Sequence, residues 1–405
     1  MKEEKSKEKN EVHHFYSQQD IKKDYKFWKT QLVPQFHKKL PIELGPLKSE
    51  FKEEDIPKNS YELPENMEWK EIDILKEEEC QKLFDFLYVN YCEDEDVEYK
   101  EQYNKEFIRW QFSPIKNNKY KNILLSIQIN QKIIGFFSGL PMKLYIYGKE
   151  IIAYNISFLC IDKQYRKHNL AQILFKELFR RTYLENVYQN IFVSKRLIPK
   201  PFAESTYYYK ILDLEIVKEM IDKGEIPKDI DIKQFEIKDE TRVKFRPMGK
   251  KDVKCVTKLL YENQKKYKIH SIFSEDEVEH WFIPIKNVIY SFVKENEEGN
   301  ITDFTSFYKI DATFLGKKQN WCYLYFNIAT SMTSKELLEN AMILAKKEGM
   351  NDFVCNNIMD YEKICKELNF HSNIEDENSY GSLKYYFNNF VCPETEAKDI
   401  SLILI

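Results

Sequence analysis

The chain has 405 residues, 43 % of them apolar and 15 % aromatic, with 62 Lys+Arg against 66 Asp+Glu and a formal charge of -4. The apolar share is enough for a full core and excludes chain-wide disorder; the near-neutral balance excludes a strongly basic nucleic-acid binder. With only 10 glycines, a glycine-repeat phosphate fingerprint is not expected.

No run of about 18 apolar residues occurs, so no transmembrane helix is expected. The first ten residues, Met1 to Asn10, are charged where a secretory signal needs an apolar stretch. The 8 cysteines show no CxxC pair and no zinc-like clustering, so they read as reduced, mostly buried thiols of a cytosolic protein.

Residues 1–20 read as a charged flexible tail. Tyr25-Lys-Phe-Trp28 follows, an aromatic segment closed by Pro34 that needs a surface to pack on. From Pro41 to Pro64 the sequence predicts a long arm with little regular structure. Trp69–Ile74 alternates as a strand, and Glu77–Tyr91 carries Leu83, Phe84, Leu87 and Tyr91 at helical spacing. Ile123–Ile129 and Lys132–Ser138 read as paired strands around Asn130-Gln131. Ile151–Cys160 is a further strand, and Leu170 opens an amphipathic helix with Ile173, Leu174, Leu178 and Phe179 on one face.

A charged linker spans Lys223–Thr241. Val243–Met248 then reads as a strand, and Val253, Val256, Leu259 and Leu260 as one face of a helix, so the strand–helix opening occurs twice. Ser274–Glu277 is a capping box for a helix ending before Pro284. Thr333–Glu336 is a second, for a helix that Gly349 stops. The order of elements predicts a mixed α/β protein with two sheet-centred halves.

The most informative stretch is the strand–loop–helix Phe158–Ala171. A helix N-terminus offers unpaired N–H groups and partial positive charge, and Arg166 and Lys167 stand beside it, so a phosphate is one reading. An ordinary connection with solvated basic residues is the other. The closing Ser401-Leu-Ile-Leu-Ile405 is unusually apolar for a chain end; it either completes a sheet or buries its carboxylate next to a counter-charge. No Ser/His/Asp arrangement or metal-ligand spacing is visible, and His280 reads as structural.

In chain order, Tyr25-Lys-Phe-Trp28, Asn90–Asp96, Phe158-Leu-Cys160, Ile198-Pro-Lys-Pro201, Arg246-Pro-Met248, Glu277–Phe282 and Thr302-Asp-Phe304 together resemble the N-myristoyltransferase family, over nearly the whole chain from Tyr25 to Ile405. The resemblance implies two pseudo-symmetric GNAT-like halves around a saddle-shaped sheet: 21–230 binding myristoyl-CoA, and 231–405 contributing the peptide groove and the C-terminal carboxylate. It implies transfer of myristate to the N-terminal glycine amine of client proteins, with myristoyl-CoA as co-substrate and no prosthetic group or metal. The implied catalytic groups are the backbone amides of Phe158 and Leu159, as oxyanion donors, and the Ile405 carboxylate, as base. Lys26, Phe27, Trp28, Leu159, Cys160, Ile161, Arg166, Lys167, Asn169, Leu170 and Ala171 would hold CoA. Asp94, Asp96, Tyr99, Tyr207, Tyr209 and Leu324 would meet the peptide, and the charged tail is a candidate for docking on the ribosome.

This chain departs from the family pattern more on the peptide side than on the CoA side. Lys195 replaces a glycine, Tyr209 a histidine, Leu324 a serine, Tyr380 an aspartate, Glu101 an aromatic and Ser157 an asparagine; His168, Asn169 and Gln172 make the CoA loop less basic. The alternatives are an acyl-CoA-binding paralogue without transfer activity and a generic GNAT acetyltransferase.

Overall fold

The computed structural model describes residues 16–36, 38, 42–91, 99–314, 316–372 and 382–405. The helices are α1 Gln18–Lys22, α2 Glu77–Asn90, α3 Lys105–Phe112, α4 Leu170–Leu184, α5 Leu214–Lys223, α6 Val253–Gln264, α7 Glu275–Phe282, α8 Ser334–Lys347 and α9 Tyr361–Glu367. The strands of the first half of the chain are β1 Glu68–Glu71, β2 Tyr99–Gln102, β3 Ile123–Ile129, β4 Lys132–Ile146, β5 Lys149–Ile161, β6 Asn190–Ser194 and β7 Ala203–Ile211. The second half adds β8 Arg246–Pro247, β9 Ile269–Ile272, β10 Ile289–Glu295, β11 Ile301–Phe314, β12 Lys317–Ile328, β13 Asp352–Asn356, β14 His371–Ser372, β15 Ser382–Asn388 and β16 Ile400–Ser401.

The result is a mixed α/β protein built on one large sheet, ordered β1-β3-β4-β5-β6-β15-β7-β13-β12-β11-β10-β8. β15, from late in the chain, lies between β6 and β7 and pairs with both, so the two ends of the sequence share one framework. Asn130 and Gln131 both have positive φ (48° and 67°), which a primed two-residue turn between twisted strands requires. α4 lies across β3, β4 and β5, with Leu174 and Leu178 fully buried. Glycines beneath it allow the close approach: a Cβ on Gly135 would sit 3.3 Å from Leu174 Cδ1, and one on Gly139 3.6 Å from Leu178 Cδ1.

Several boundaries differ from the sequence expectation. β1 stops at Glu71; Ile72 and Ile74 are buried in a loop, with Ile72 N–H donating to Leu124 O. Of Val243–Met248, only Arg246–Pro247 forms a strand, opposite Val293 and Phe292, with Met248 N–H donating to Ser291 O just beyond it. β4 continues through Pro141 to Ile146 instead of ending at Ser138. α1, capped by Ser17, reaches into the stretch read as tail; the rest of that stretch, before Tyr16, lies outside the described residues. Among its described residues the arm holds a short 3₁₀ turn at Glu53–Asp55 and a single bridge from Gly45 to Val391.

α4 also pins the arm. Glu177 is fully buried and accepts from Arg180 (2.8 and 2.9 Å), Arg181 (2.8 Å) and the Tyr61 amide (3.1 Å), while Arg180 Nη1 donates to Pro57 O. Arg180→Met removes two of the four donors to a buried carboxylate that Arg181 and the Tyr61 amide still hold, so it should lower stability by about 2 kcal/mol, read as a shift in the urea midpoint at unchanged slope.

Candidate active site

β4 has two neighbours along most of its length but not at its middle. β3 leaves it at Gly139, and β9 joins it only at Lys143. Leu140, Pro141 and Met142 therefore pair with β5 alone among the described strands. Pro141 lacks the N–H that a second neighbour would use, so the gap is written into the sequence. A cleft opens here, walled by Leu140, Asn155, Phe273, Trp281, Tyr325, Ile403 and Ile405.

The end of the chain is threaded into this cleft. Ile400 and Ser401 form β16, parallel to β9, with Ile400 and Leu402 fully buried and Tyr385 Oη donating to Leu402 O at 3.5 Å. The last three residues leave the strand. Gln111 Nε2, from α3, and Asn155 Nδ2, from β5, both donate to the main-chain oxygen of Ile405, at 3.1 and 3.3 Å. α3 was not legible as a helix; Asn104 starts it, its Oδ1 accepting from Phe107 N–H at 2.8 Å.

Three residues beyond Asn155, β5 carries a bulge. Phe136 faces Cys160 and Ser138 faces Ser157, so Phe137 alone stands opposite Phe158 and Leu159. Phe158 adopts φ +57°, unfavourable for a bulky residue and tolerated only where packing enforces it. Its ring is held by Tyr91 (centroids 5.0 Å), Tyr103 (5.1 Å) and Phe112 (5.1 Å). β5 pairs with β6 only at Tyr154 and Asn155, yet runs on to Ile161. From the bulge onward its main chain faces an opening between the two strands.

Asp162 follows, its carboxylate accepting from Gln164 N–H at 3.0 Å, and Asn169 at φ 57° turns the chain into α4 without a side-chain cap. The exposed Lys167 stands at this end of the helix. Arg166 is already engaged, donating to Asn90 O (2.9 Å) and Ile161 O (3.3 Å). Cys160 is buried, which pushes its thiol up to about 12, so only its main chain can serve a ligand. Trp28 packs against Phe175 of α4 (5.0 Å) and Phe192 of β6 (5.8 Å), Phe27 against Phe175 (6.1 Å), and Lys26 is exposed.

Comparison with known proteins now bears on this arrangement. Residues 46–205 match the description Myristoyl-CoA:protein N-myristoyltransferase, N-terminal domain, and residues 223–401 match its C-terminal domain. The chain belongs to the N-myristoyltransferase family. It is 34 % identical over 397 residues to a glycylpeptide N-tetradecanoyltransferase of Plasmodium falciparum, covering 95 % of this chain and 94 % of the relative. The Dictyostelium discoideum enzyme of the same name is 34 % identical over 393 residues, covering 95 % and 93 %. A crystal structure of Saccharomyces cerevisiae N-myristoyltransferase with bound myristoyl-CoA superposes with a TM-score of 0.85 at 26 % identity, covering 95 % of this chain and all of that one.

Within the N-myristoyltransferase frame, the expected peptide-side residues separate. Tyr207 and Tyr209 belong with the cluster that includes Tyr323, Tyr325 and Ile405, and Tyr207 meets Tyr323 edge-on at 5.9 Å. Glu101 accepts a hydrogen bond from Tyr323 Oη. Leu324 does not join them: alternation along β12 turns it into the second core, 5 % exposed, and Tyr325 lines the cleft instead. Tyr99 lies in β2 opposite Phe314, while Asp94, Asp96 and Tyr380 lie outside the described residues. Gln111 and Asn155 were missed; an asparagine inside the apolar run Ile151–Cys160 was the available signal.

His280 is structural: its carbonyl accepts Trp110 Nε1–H at 3.0 Å, and burial drives its ring down to about 4. The fold thus holds the ring neutral, whereas the unfolded chain protonates it near 6.5. As pH falls through the window from 6.5 to 4 the unfolded state takes up a proton that the folded state refuses, so stability is lost. His280→Leu should flatten that part of the stability–pH curve, by at most about 3.4 kcal/mol at about 1.36 kcal/mol per pH unit, measured by denaturant titration of both chains at each pH.

Proposed function

We propose that this chain transfers a tetradecanoyl group from myristoyl-CoA to the α-amine of an N-terminal glycine, in the cytosol. One observation carries the mechanism: Asn155, three residues before the Phe158–Leu159 bulge on the same strand, binds Ile405. At about 3.3 Å per residue that sets the two roughly 10 Å apart, a span that an aminoacyl end and a thioester can bridge together.

The glycine ammonium, ordinarily near pKa 7.7–8.0, gives a proton to the Ile405 carboxylate. The freed amine attacks the thioester carbonyl; the C–N bond forms, the C–S bond breaks, and the nitrogen gives up its second proton, which the departing CoA thiolate takes up. Negative charge developing on the carbonyl oxygen is met by the N–H groups of Phe158 and Leu159, preorganised by the bulge.

The main chain of Leu159, Cys160 and Ile161 would flank the pantetheine, and the N–H groups at Asn169, Leu170 and Ala171 would receive the pyrophosphate, with Lys167 beside them. Arg166 would act there through its hold on the loop. Lys26, Phe27 and Trp28 would cover the nucleotide end. Tyr207 and Tyr209, with Asp94, Asp96 and Tyr99, would border the peptide. In this reading 21–230 is the acyl-CoA half and 231–405 supplies the groove and the base, and clients are met at the ribosome through the charged tail. No helix among the described residues is long and apolar enough to cross a membrane.

One alanine added after Ile405 moves the carboxylate by about 3.5 Å. Turnover of a Gly-starting peptide should fall by about 10²-fold or more, the usual contribution of a positioned base, with myristoyl-CoA affinity unchanged by calorimetry. Full activity in the extended chain would remove Ile405 from the mechanism.

A further inference from the structure

On α2, α5 and α9 exposed lysines are neutralised within one turn: Lys82 by Glu78, Lys218 by Glu215, Lys223 by Glu219 and Lys366 by Glu362. α6 departs from that pattern. Lys251, at its start, and Lys254 and Lys258 along it are exposed and make no ion pair among the described residues. At about 100° per residue these three and Lys265 fall within about 60° of one another, over about 21 Å of helix. Exposed Lys266 flanks the row. Glu262 is the single exposed acid in 251–266, and Lys265 holds it at 2.9 Å. Two acids that approach the first turn from other elements are already paired, Glu279 of α7 with Lys250 (2.9 Å) and Glu295 of β10 with Arg246. Tyr261 stands beside the row, 48 % exposed, with Lys265 Nζ 4.2 Å from its ring centre. The other side of the helix is core: Val253, Val256, Leu260 and Gln264 are buried, and Gln264 Nε2 donates to Ser401 Oγ at 3.3 Å. The lysine row therefore faces away from the body.

We infer that this face of α6 docks on an anionic lipid bilayer. Like charges one turn apart, as at Lys251, Lys254 and Lys258, weaken a helix, and an anionic partner relieves that cost. The row holds no arginine, whose planar fork suits the fixed phosphates of a folded nucleic acid, and no run of aromatics on which bases would stack. Lysine is a compact, hydrated charge on a flexible stem, able to meet headgroups that move. A lone tyrosine among the cations fits the headgroup level, where an amphipathic ring rests. A helix face with about four to eight basic residues is drawn to acidic lipid within a Debye length. The contact is one-sided, because the chain as a whole carries a formal charge of -4 and an acidic surface repels the rest of it. The inference goes beyond acyl transfer and does not require it. A single tetradecanoyl chain holds a membrane only marginally, so an enzyme resting there would release its product where the product partitions.

The test is co-sedimentation of the full chain with vesicles of phosphatidylcholine alone or of phosphatidylcholine mixed with phosphatidylserine. The wild-type chain should sediment with the mixed vesicles, stay in solution with the neutral ones, and leave the mixed vesicles as salt is raised. The combined variant Lys251→Gln, Lys254→Gln, Lys258→Gln should bind the mixed vesicles about 10²-fold more weakly, with its melting temperature unchanged. A control of equal net charge, Lys82→Gln, Lys218→Gln, Lys366→Gln, should stay within about twofold of wild type, since those lysines are already neutralised. If the combined variant melts early, Lys254→Gln alone decides, with an expected loss of about fivefold. Equal binding to neutral and acidic vesicles overturns the inference, and so does binding that the combined variant keeps, which would assign the contact elsewhere on the chain. A wild-type chain that ignores acidic vesicles but binds transfer RNA through the same lysines overturns the bilayer in favour of a nucleic acid. The readout is binding alone, so a chain that docks but makes no acyl-peptide supports this face and overturns only the transfer reading.

Discussion

Between Gly139 and Lys143, strand β4 is hydrogen-bonded to β5 alone among the described strands. A strand edge left open inside a protein would ordinarily be a liability, because unpaired main-chain groups invite another strand. Here Pro141 removes a donor from the open edge, and side chains from α3, α7 and β12 stand around it. The gap is wide enough for the last residues of the chain to enter after β16 has docked on β9. An acceptor carried that deep must be given donors, and Gln111 and Asn155 supply them. The cleft, its terminal group and its two amides are thus consequences of one missing neighbour.

The acyl side depends on a second interruption of the same strands. The bulge at Phe158–Leu159 puts two residues opposite Phe137, and the parallel pairing of β5 with β6 ends at Asn155. A bulge re-aims main-chain groups that a regular ladder would consume. The positive φ of Phe158 is the conformational cost, met by a cage of three rings around its side chain. Core packing and oxyanion chemistry are not competing roles for this residue, since the ring holds the main chain in the geometry that the proposed chemistry needs.

What was legible in the sequence follows the range of the forces involved. The helix from Leu170 and the capped helices at Ser274 and Thr333 are set by local periodicity and caps, and the structure has them at α4, α7 and α8. Gly139-Leu-Pro141 looks like a strand end because the two breaker residues act locally, yet β4 passes through it since β5 supports the other side. α3 escaped because it is only eight residues long, little more than two turns, too short for a helical period to stand out. Leu324 differs from the expectation because plain alternation along β12 places it in the second core, with Tyr323 and Tyr325 on the opposite face and Tyr325 on the cleft wall. Arg166 reads as a free cation in sequence, and only the fold brings Asn90 O and Ile161 O within its reach. Family resemblance carried the activity further than any of these local signals.

The proposed chemistry comes down to whether a negative charge at the end of Ile405 takes the proton of the attacking amine. Semisynthesis of the chain with a C-terminal carboxamide keeps length, shape and both amide contacts while removing that charge. Single-turnover acyl transfer from pre-bound myristoyl-CoA to a saturating Gly-starting peptide should then slow by about 10²-fold or more, with acyl-CoA still bound. A carboxamide enzyme that transfers at the unmodified rate would contradict the account.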